Sequence, residues 1–391
     1  MKNIKKFLMM PLLILSLASC GETTNSSTTQ NEEIVYKYEE EQMYQKYWEG
    51  NVIYNETCLL TEDENGVIKA RLLYKPTRII SIRDYSLQKE YSPSEYKIED
   101  DYIIRTENSS IPYFKKGNLD CTDMTRYDGI DLNGIVTPYA GKYGNIPFTE
   151  GTGIVMHQIA VTYEHDDKWA GTIPSSQGDK LPNLQQKLAN KEDIRLVVNG
   201  DSIFTGCNSS GKLGIEPYQD DFPTAFSKEI TRNYGSNVVL KNTAVGGQVS
   251  KWGMQNVVSN VNQYMPDLVI IGFGMNDGCD AFQVPANDYV DNIETMIRSI
   301  QANTNAEIIV CSTIIANPDS KQNCIQETYL TPLKNMVEEY EGVALMDMTT
   351  FSKDLFTKKK SLDMYANNIN HPSDFMVRGY VMNLMTTIEE K

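Results

Sequence analysis

From residue 194 onward, five short and almost unbroken apolar runs recur: IRLVVNG (194–200), NVVLKN (237–242), DLVIIGFG (267–274), EIIVCST (307–313) and VALMDM (343–348). Helix-length amphipathic stretches separate them at 223–234, 249–264, 286–302 and 326–340, and a last one at 373–389 closes the chain. A strand without a polar face must be covered on both sides. Strands that alternate with helices pair in parallel, because each return crossing needs a long connection. The pattern predicts an α/β domain over 193–391 built on a doubly wound, parallel five-stranded sheet.

Ahead of it the texture changes. VIKARLLY (67–74), RIISIRDYSL (78–87), DYIIRT (101–106) and GIVMHQIAVTYEH (153–165) are short, β-branched and tyrosine-rich, and turn clusters such as Glu62-Asp63-Glu64-Asn65-Gly66 separate such runs. Asn-Gly favours a tight hairpin, and many short strands need a second sheet to cover their apolar faces. Residues 34–170 are therefore expected to form a β-sandwich accessory domain. The segment 171–192 reads as a connector, with Pro174, Gly178 and Pro182 before a short helix at NLQQKLAN (183–190). The tyrosines of the β half are read as ordinary strand composition ahead of a sugar-stacking face.

The first residues are a targeting segment. Lys2, Lys5 and Lys6 precede an apolar stretch at 7–17 that is too short to span a bilayer. Leu17-Ala18-Ser19-Cys20 resembles the lipobox of bacterial lipoproteins, which implies a signal peptide over 1–19 and a diacylglycerol-bearing Cys20. The alternative is an ordinary cleaved signal peptide. The polar run that follows, within 20–33, is a flexible tether. The chain is thus expected to be exported and lipid-anchored to the bacterial cell envelope. A formal charge of −16 makes nucleic acid a poor partner. Six further cysteines remain: Cys58, Cys121, Cys207, Cys279, Cys311 and Cys324. An even count permits disulfides in an exported protein, but their pairing is open and no zinc-ligand spacing is present.

In an open parallel sheet, ligands gather beyond the carboxyl ends of the strands where strand order reverses. Four blocks fall at such ends: Gly200-Asp201-Ser202 after the first run, Asn242-Thr243-Ala244-Val245-Gly246-Gly247 after the second, Gly274-Met275-Asn276-Asp277 after the third, and Asn367-Asn368-Ile369-Asn370-His371 near the carboxyl terminus. Each alone reads as a turn. Together, in order and approximate spacing, they resemble the GDSL, or SGNH, hydrolase superfamily over about half of the chain. The resemblance implies a flavodoxin-like sheet with Ser202 as nucleophile and His371 as general base. It also implies an oxyanion hole made by the N–H groups of Ser202 and Gly247 and the side chain of Asn276, with Gly246 the alternative if the loop shifts by one. No metal or organic cofactor is implied. Asp201 and Asp277 are read as loop-holding residues.

The chain has three histidines, and His157 and His165 fall in the β half, the first as a satisfied strand residue and the second as a solvated loop residue. One departure from the family stands out. Three residues before the histidine, where the family places an aspartate, this chain has Asn368. Three arrangements follow: a Ser–His dyad supported by Asn368 or a backbone carbonyl, a carboxylate brought from elsewhere such as Asp363, or a weakened enzyme. The first is preferred. The β-rich half followed by a hydrolase domain resembles certain bacterial carbohydrate deacetylases, which implies hydrolysis of acyl, foremost acetyl, esters on carbohydrate. The alternatives are a lipase or thioesterase, with Phe204, Trp252 and Phe273 lining an acyl groove, and a non-catalytic glycan-binding surface lipoprotein.

Overall fold

The computed structural model describes residues 40–115, 137–142 and 144–390. The segments expected to be a signal peptide (1–19) and a tether (20–33), Cys20 among them, lie outside the described residues, as does Cys121. Within residues 36–391 the chain forms one compact unit.

The amino-terminal half opens with the single turn α1 (Glu40–Met43) and continues with β1 (Val52–Cys58), β2 (Thr61–Glu62), β3 (Ile68–Arg71), β4 (Pro76–Asp84), β5 (Tyr96–Glu99) and β6 (Tyr102–Arg105). Then come β7 (Thr137–Ala140), β8 (Asn145–Phe148) and β9 (Ile159–His165). The strands sort into antiparallel sheets of order β1-β9-β4 and β2-β3-β6-β5, with β7 and β8 pairing as a separate hairpin. The β2–β3 turn is held by Asp63, whose carboxylate accepts the N–H groups of Asn65 and Val67 at 2.9 and 3.0 Å.

The second half contains β10 (Ile194–Gly200), β11 (Val238–Asn242), β12 (Leu268–Gly272), β13 (Glu307–Cys311) and β14 (Val343–Met346), all parallel, in the order β11-β10-β12-β13-β14. Side chains alternate between two apolar clusters: Leu196, Val198, Leu268 and Ile270 face one way, and Val197, Val269 and Ile271 the other. The helices are α2 (Pro182–Asn190), α3 (Ser210–Leu213), α4 (Phe222–Tyr234), α5 (Ser250–Asn260), α6 (Ala286–Asn303), α7 (Leu330–Val337), α8 (Met348–Phe356), α9 (Ser361–Met364) and α10 (Asp374–Ile388). Helices α2, α4 and α10 join the first cluster, and α5, α6 and α7 the second. Because β11 and β12 flank β10 and the chain leaves in opposite directions from them, the carboxyl end of β10 is the switch point.

Every residue of α10 is buried. A helix with no wet face needs cover on all sides, and the amino-terminal half supplies the part that the α/β half does not. Tyr47 donates its hydroxyl to the Phe375 carbonyl at 2.7 Å, and Arg378 donates to the carbonyls of Tyr54 and Asn55 at 2.7 and 2.6 Å. Tyr47, Ile53, Ile103 and Tyr163 share one apolar cluster with Phe375, Tyr380 and Leu384. Below them lies a fully buried ion pair: Lys359 Nζ stands 2.6 Å from Glu56, and both side chains are wholly inaccessible. Glu56 also accepts the Leu73 N–H at 2.9 Å and the Tyr163 hydroxyl at 2.6 Å. Burial opposes the Lys359 charge, but the carboxylates of Glu56 and Asp363 outweigh it and hold the ammonium protonated above its ordinary range.

Removing one partner leaves a buried, uncompensated charge. Lys359→Met should therefore cost about 3–5 kcal/mol in urea unfolding, and Glu56→Gln combined with Lys359→Met should recover part of that. A loss below ~1 kcal/mol for the single variant would show that the pair does not hold the halves together.

Candidate active site

Strand β10 ends against its neighbour. The Asp201 N–H donates to the Gly272 carbonyl at 3.1 Å, and the Phe204 ring folds back across the end of the strand pair. A Cβ added at Gly272 would lie 1.8 Å from the Phe204 ring, so only glycine fits there. The chain then turns rather than entering a helix, since the next helical residues begin at Ser210. Asp201 is buried and accepts the Ile203 N–H at 3.0 Å. Burial pushes its carboxyl up to about 7, and the charge of Asp277 adds to that. Ser202 sits at the head of this turn, nearly buried, with its carbonyl accepting the Thr205 hydroxyl at 2.6 Å.

His371 lies in the loop between α9 and α10. The Asn367 side-chain oxygen accepts the N–H groups of Ile369, Asn370 and His371 at 2.9, 3.0 and 3.0 Å, which folds the loop around a single amide. The ring is thereby presented to the end of β10. His371 Nε2 stands 2.9 Å from Ser202 Oγ. On the other side of the ring, Nδ1 is 2.9 Å from Glu150 Oε2 and 2.7 Å from Asn208 Oδ1. The Asn208 amide is itself oriented, because its Nδ2 donates to the Glu150 carbonyl at 2.8 Å. Two acceptors thus face Nδ1. The proton belongs on Nδ1, and the lone pair of Nε2 is left to accept from the serine hydroxyl.

The second block closes on the same spot, and the third is tied to the second. A Cβ built on Gly246 would stand 3.7 Å from the Ser202 Cβ, whereas one built on Gly247 would meet nothing within 4 Å. What Gly247 needs glycine for is its backbone, with φ at +75°. Asn276 Nδ2 donates to the Gln248 carbonyl at 2.9 Å, tying its turn to that loop. Asp277 reinforces the tie, accepting the Ser250 N–H at 2.9 Å and the Gly274 N–H at 3.1 Å.

Three expectations are corrected. Asn368 does not touch the imidazole: its Nδ2 donates to the Pro147 carbonyl at 2.9 Å and its Oδ1 accepts the Ser361 hydroxyl at 2.7 Å. Its φ of +64° explains an asparagine there, since that residue tolerates the left-handed conformation. Asp363, the alternative carboxylate, is spent on the N–H groups of Leu59 and Lys360 at 2.8 and 2.9 Å. His165 is buried and stacked on Tyr74 with ring centroids 4.0 Å apart, not solvated. His157 binds the Gly153 carbonyl at 2.8 Å in a turn ahead of β9.

Sequence reasoning missed Glu150 and Asn208. Glu150 follows β8 in the amino-terminal half, 221 positions from His371, and its turn carries no local mark of function. Partial burial raises the Glu150 carboxyl, but the hydrogen bond and charge of His371 and the Asn367 amide outweigh that and hold it below the usual range. Asn208 lies six residues past Ser202, outside the Gly200-Asp201-Ser202 block.

Residues 198–376 match the GDSL-like Lipase/Acylhydrolase family. The matched region is the doubly wound parallel domain of strand order β11-β10-β12-β13-β14. An arylesterase of Vibrio mimicus is 26% identical over 113 residues, which is 29% of this chain and 52% of that protein, so the chain spans about half the length of this curated relative. Among solved structures, a two-domain esterase active on acetylated mannans is similar at a TM-score of 0.43 and 15% identity, covering 55% of this chain and 54% of the other. An acetylxylan esterase of Geobacillus stearothermophilus is similar at 0.41 and 16%, covering 51% and 95%.

In this site the histidine loop depends on Asn367. Asn367→Ala leaves three N–H groups without their acceptor, and thermal unfolding should show a loss of about 2–4 kcal/mol, allowing for partial relaxation. An unchanged melting curve would mean that the amide does not organise the loop.

Proposed function

We propose that the chain is a serine ester hydrolase working by two-step acyl transfer. The observation that carries this reading is the 2.9 Å contact between Ser202 Oγ and His371 Nε2, with acceptors on Nδ1. Ser202 Oγ attacks the ester carbonyl while Nε2 takes its proton. The negative charge that develops on the carbonyl oxygen is met by the Ser202 N–H, the Gly246–Gly247 loop and the Asn276 amide. Oxyanion donors of this kind contribute roughly 3 kcal/mol each. The imidazolium then protonates the departing alkoxide, and the alcohol leaves. Water, deprotonated by the same nitrogen, releases the carboxylic acid and regenerates the serine. The match to GDSL-like acylhydrolases and the arylesterase relative support the same reaction class.

A short acyl group, foremost acetyl, is the favoured leaving acid. Of the three residues offered for a long-chain groove, Phe204 and Phe273 are buried and Trp252 packs against the second apolar cluster. On the alcohol side, Tyr139 and Phe148 of the β7–β8 hairpin hold their rings 5.2 Å apart just ahead of Glu150. Partly exposed rings of this kind suit the apolar faces of a sugar, which supports an acylated carbohydrate as substrate.

The test compares p-nitrophenyl acetate with octanoate, and acetate release from a panel of acetylated polysaccharides. The account expects acetate to be the better simple ester, with Ser202→Ala at least ~1,000-fold slower. Equal rates for wild type and Ser202→Ala would refute catalysis at this serine, and a preference for octanoate would refute the short-chain reading.

A further inference from the structure

We infer that Glu150, a residue of the amino-terminal β half, is the positioning carboxylate of the catalytic histidine, so that this half is part of the catalytic unit. The inference rests on the ester-hydrolase reading. The geometry is specific: Glu150 Oε2 stands 2.9 Å from His371 Nδ1, and the Glu150 carbonyl holds the Asn208 amide whose oxygen meets the same ring nitrogen at 2.7 Å. Asn367 approaches Glu150 Oε1 at 3.4 Å while also gathering the N–H groups of the histidine loop. Carboxylate, amide and ring therefore form one connected group drawn from three segments far apart in the chain.

The two acceptors divide the work. Asn208, buried and uncharged, fixes which nitrogen carries the proton. Glu150 adds what an amide cannot, a negative charge beside the imidazolium that forms as Ser202 attacks. The place the family gives to an aspartate is occupied here by Asn368, whose backbone is left-handed and whose side chain is engaged with Pro147 and Ser361. The charge missing from that position is supplied by a residue 221 positions away, in the amino-terminal half.

The β7–β8 hairpin is braced for this. Gly141 bridges to Ser320, Lys142 N–H donates to the Asp319 carbonyl at 2.7 Å, and Asn368 takes the Pro147 carbonyl three residues before Glu150. The Glu150 side chain is nevertheless 56% exposed, so a small anion has access to its place. Among the described residues, the Tyr139 phenol and the Cys207 thiol lie near it as well, both pushed up by burial and so uncharged near neutrality. Behind Ser202, Asp201 titrates near 7 and contributes its own pH dependence. A pH profile alone would mix these groups. Replacement of the lost carboxylate separates them.

The experiment measures kcat and KM on p-nitrophenyl acetate for wild type, Glu150→Ala, Glu150→Gln and Ser202→Ala, each with and without sodium formate at constant ionic strength. With Asn208 still holding the tautomer, Glu150→Ala should lose about 10- to 100-fold in kcat, less than the ~10,000-fold of a histidine in the wrong tautomer. KM should change little. Formate should restore several-fold of the loss in Glu150→Ala and nothing in Glu150→Gln, whose amide fills the space. The low-field Nδ1 proton resonance of His371 should move upfield in both variants. Glu150→Ala or Glu150→Gln within threefold of wild type, or a loss in Glu150→Ala that formate leaves untouched, would overturn the inference. An active Ser202→Ala would instead overturn the esterase reading itself.

Discussion

The arrangement depends on which nitrogen of one imidazole carries the proton. Nδ1 of His371 faces a carboxylate oxygen and an oriented amide oxygen, and neither can donate to it. That leaves Nε2 as an acceptor 2.9 Å from the Ser202 hydroxyl. A serine hydroxyl is a weak nucleophile at neutral pH and gains its reactivity from such a base. Were the tautomer reversed, Nε2 would donate to Ser202 and could not take its proton. The rest of the site serves that ring: Asn367 shapes its loop, Asn208 fixes its proton, and Phe204 packs on Gly272 at the end of the strand from which Ser202 projects.

The two halves are therefore linked at more than one level. Helix α10 begins three residues past His371 and is buried along its whole length, partly by the amino-terminal half. The Lys359–Glu56 pair, inaccessible to solvent, fastens the segment before α9 to β1. An unpaired buried charge is costly, so a docking that separates Lys359 from Glu56 is penalised. The position of Glu150 at the histidine depends on that docking together with the contacts that tie its hairpin to Asp319, Ser320 and Asn368.

Much of the α/β half was legible because its constraint is local and periodic. IRLVVNG coincides with β10, and DLVIIGFG and EIIVCST contain β12 and β13 with one or two residues to spare at their ends. Ser202 and His371 could be named because four short blocks, each no more than a turn by itself, follow one another in a recognisable order and spacing. Asn368 misled for a physical reason: its position suggested a ring partner, but its left-handed backbone and two engaged side-chain atoms give it a turn-forming role. Glu150 was illegible because nothing in Thr149-Glu150-Gly151 distinguishes it from any exposed turn, and its partner is chosen by tertiary docking. His165 was read as a loop residue from Asp166 and Asp167 beside it, yet stacking on Tyr74 draws it inside. Helix α8 also went unread, since Met-Thr-Thr-Phe directly follows the apolar run of β14 and blurs into it.

The central claim is that Ser202 is a hydroxyl activated by His371. The most direct measurement is mass spectrometry of the protein after reaction with a fluorophosphonate, a reagent that captures base-activated serines. The account predicts one adduct per chain, on the peptide containing Ser202, and its disappearance in His371→Ala. Modification of a different residue, or labelling of Ser202 at the same rate in His371→Ala, would contradict it.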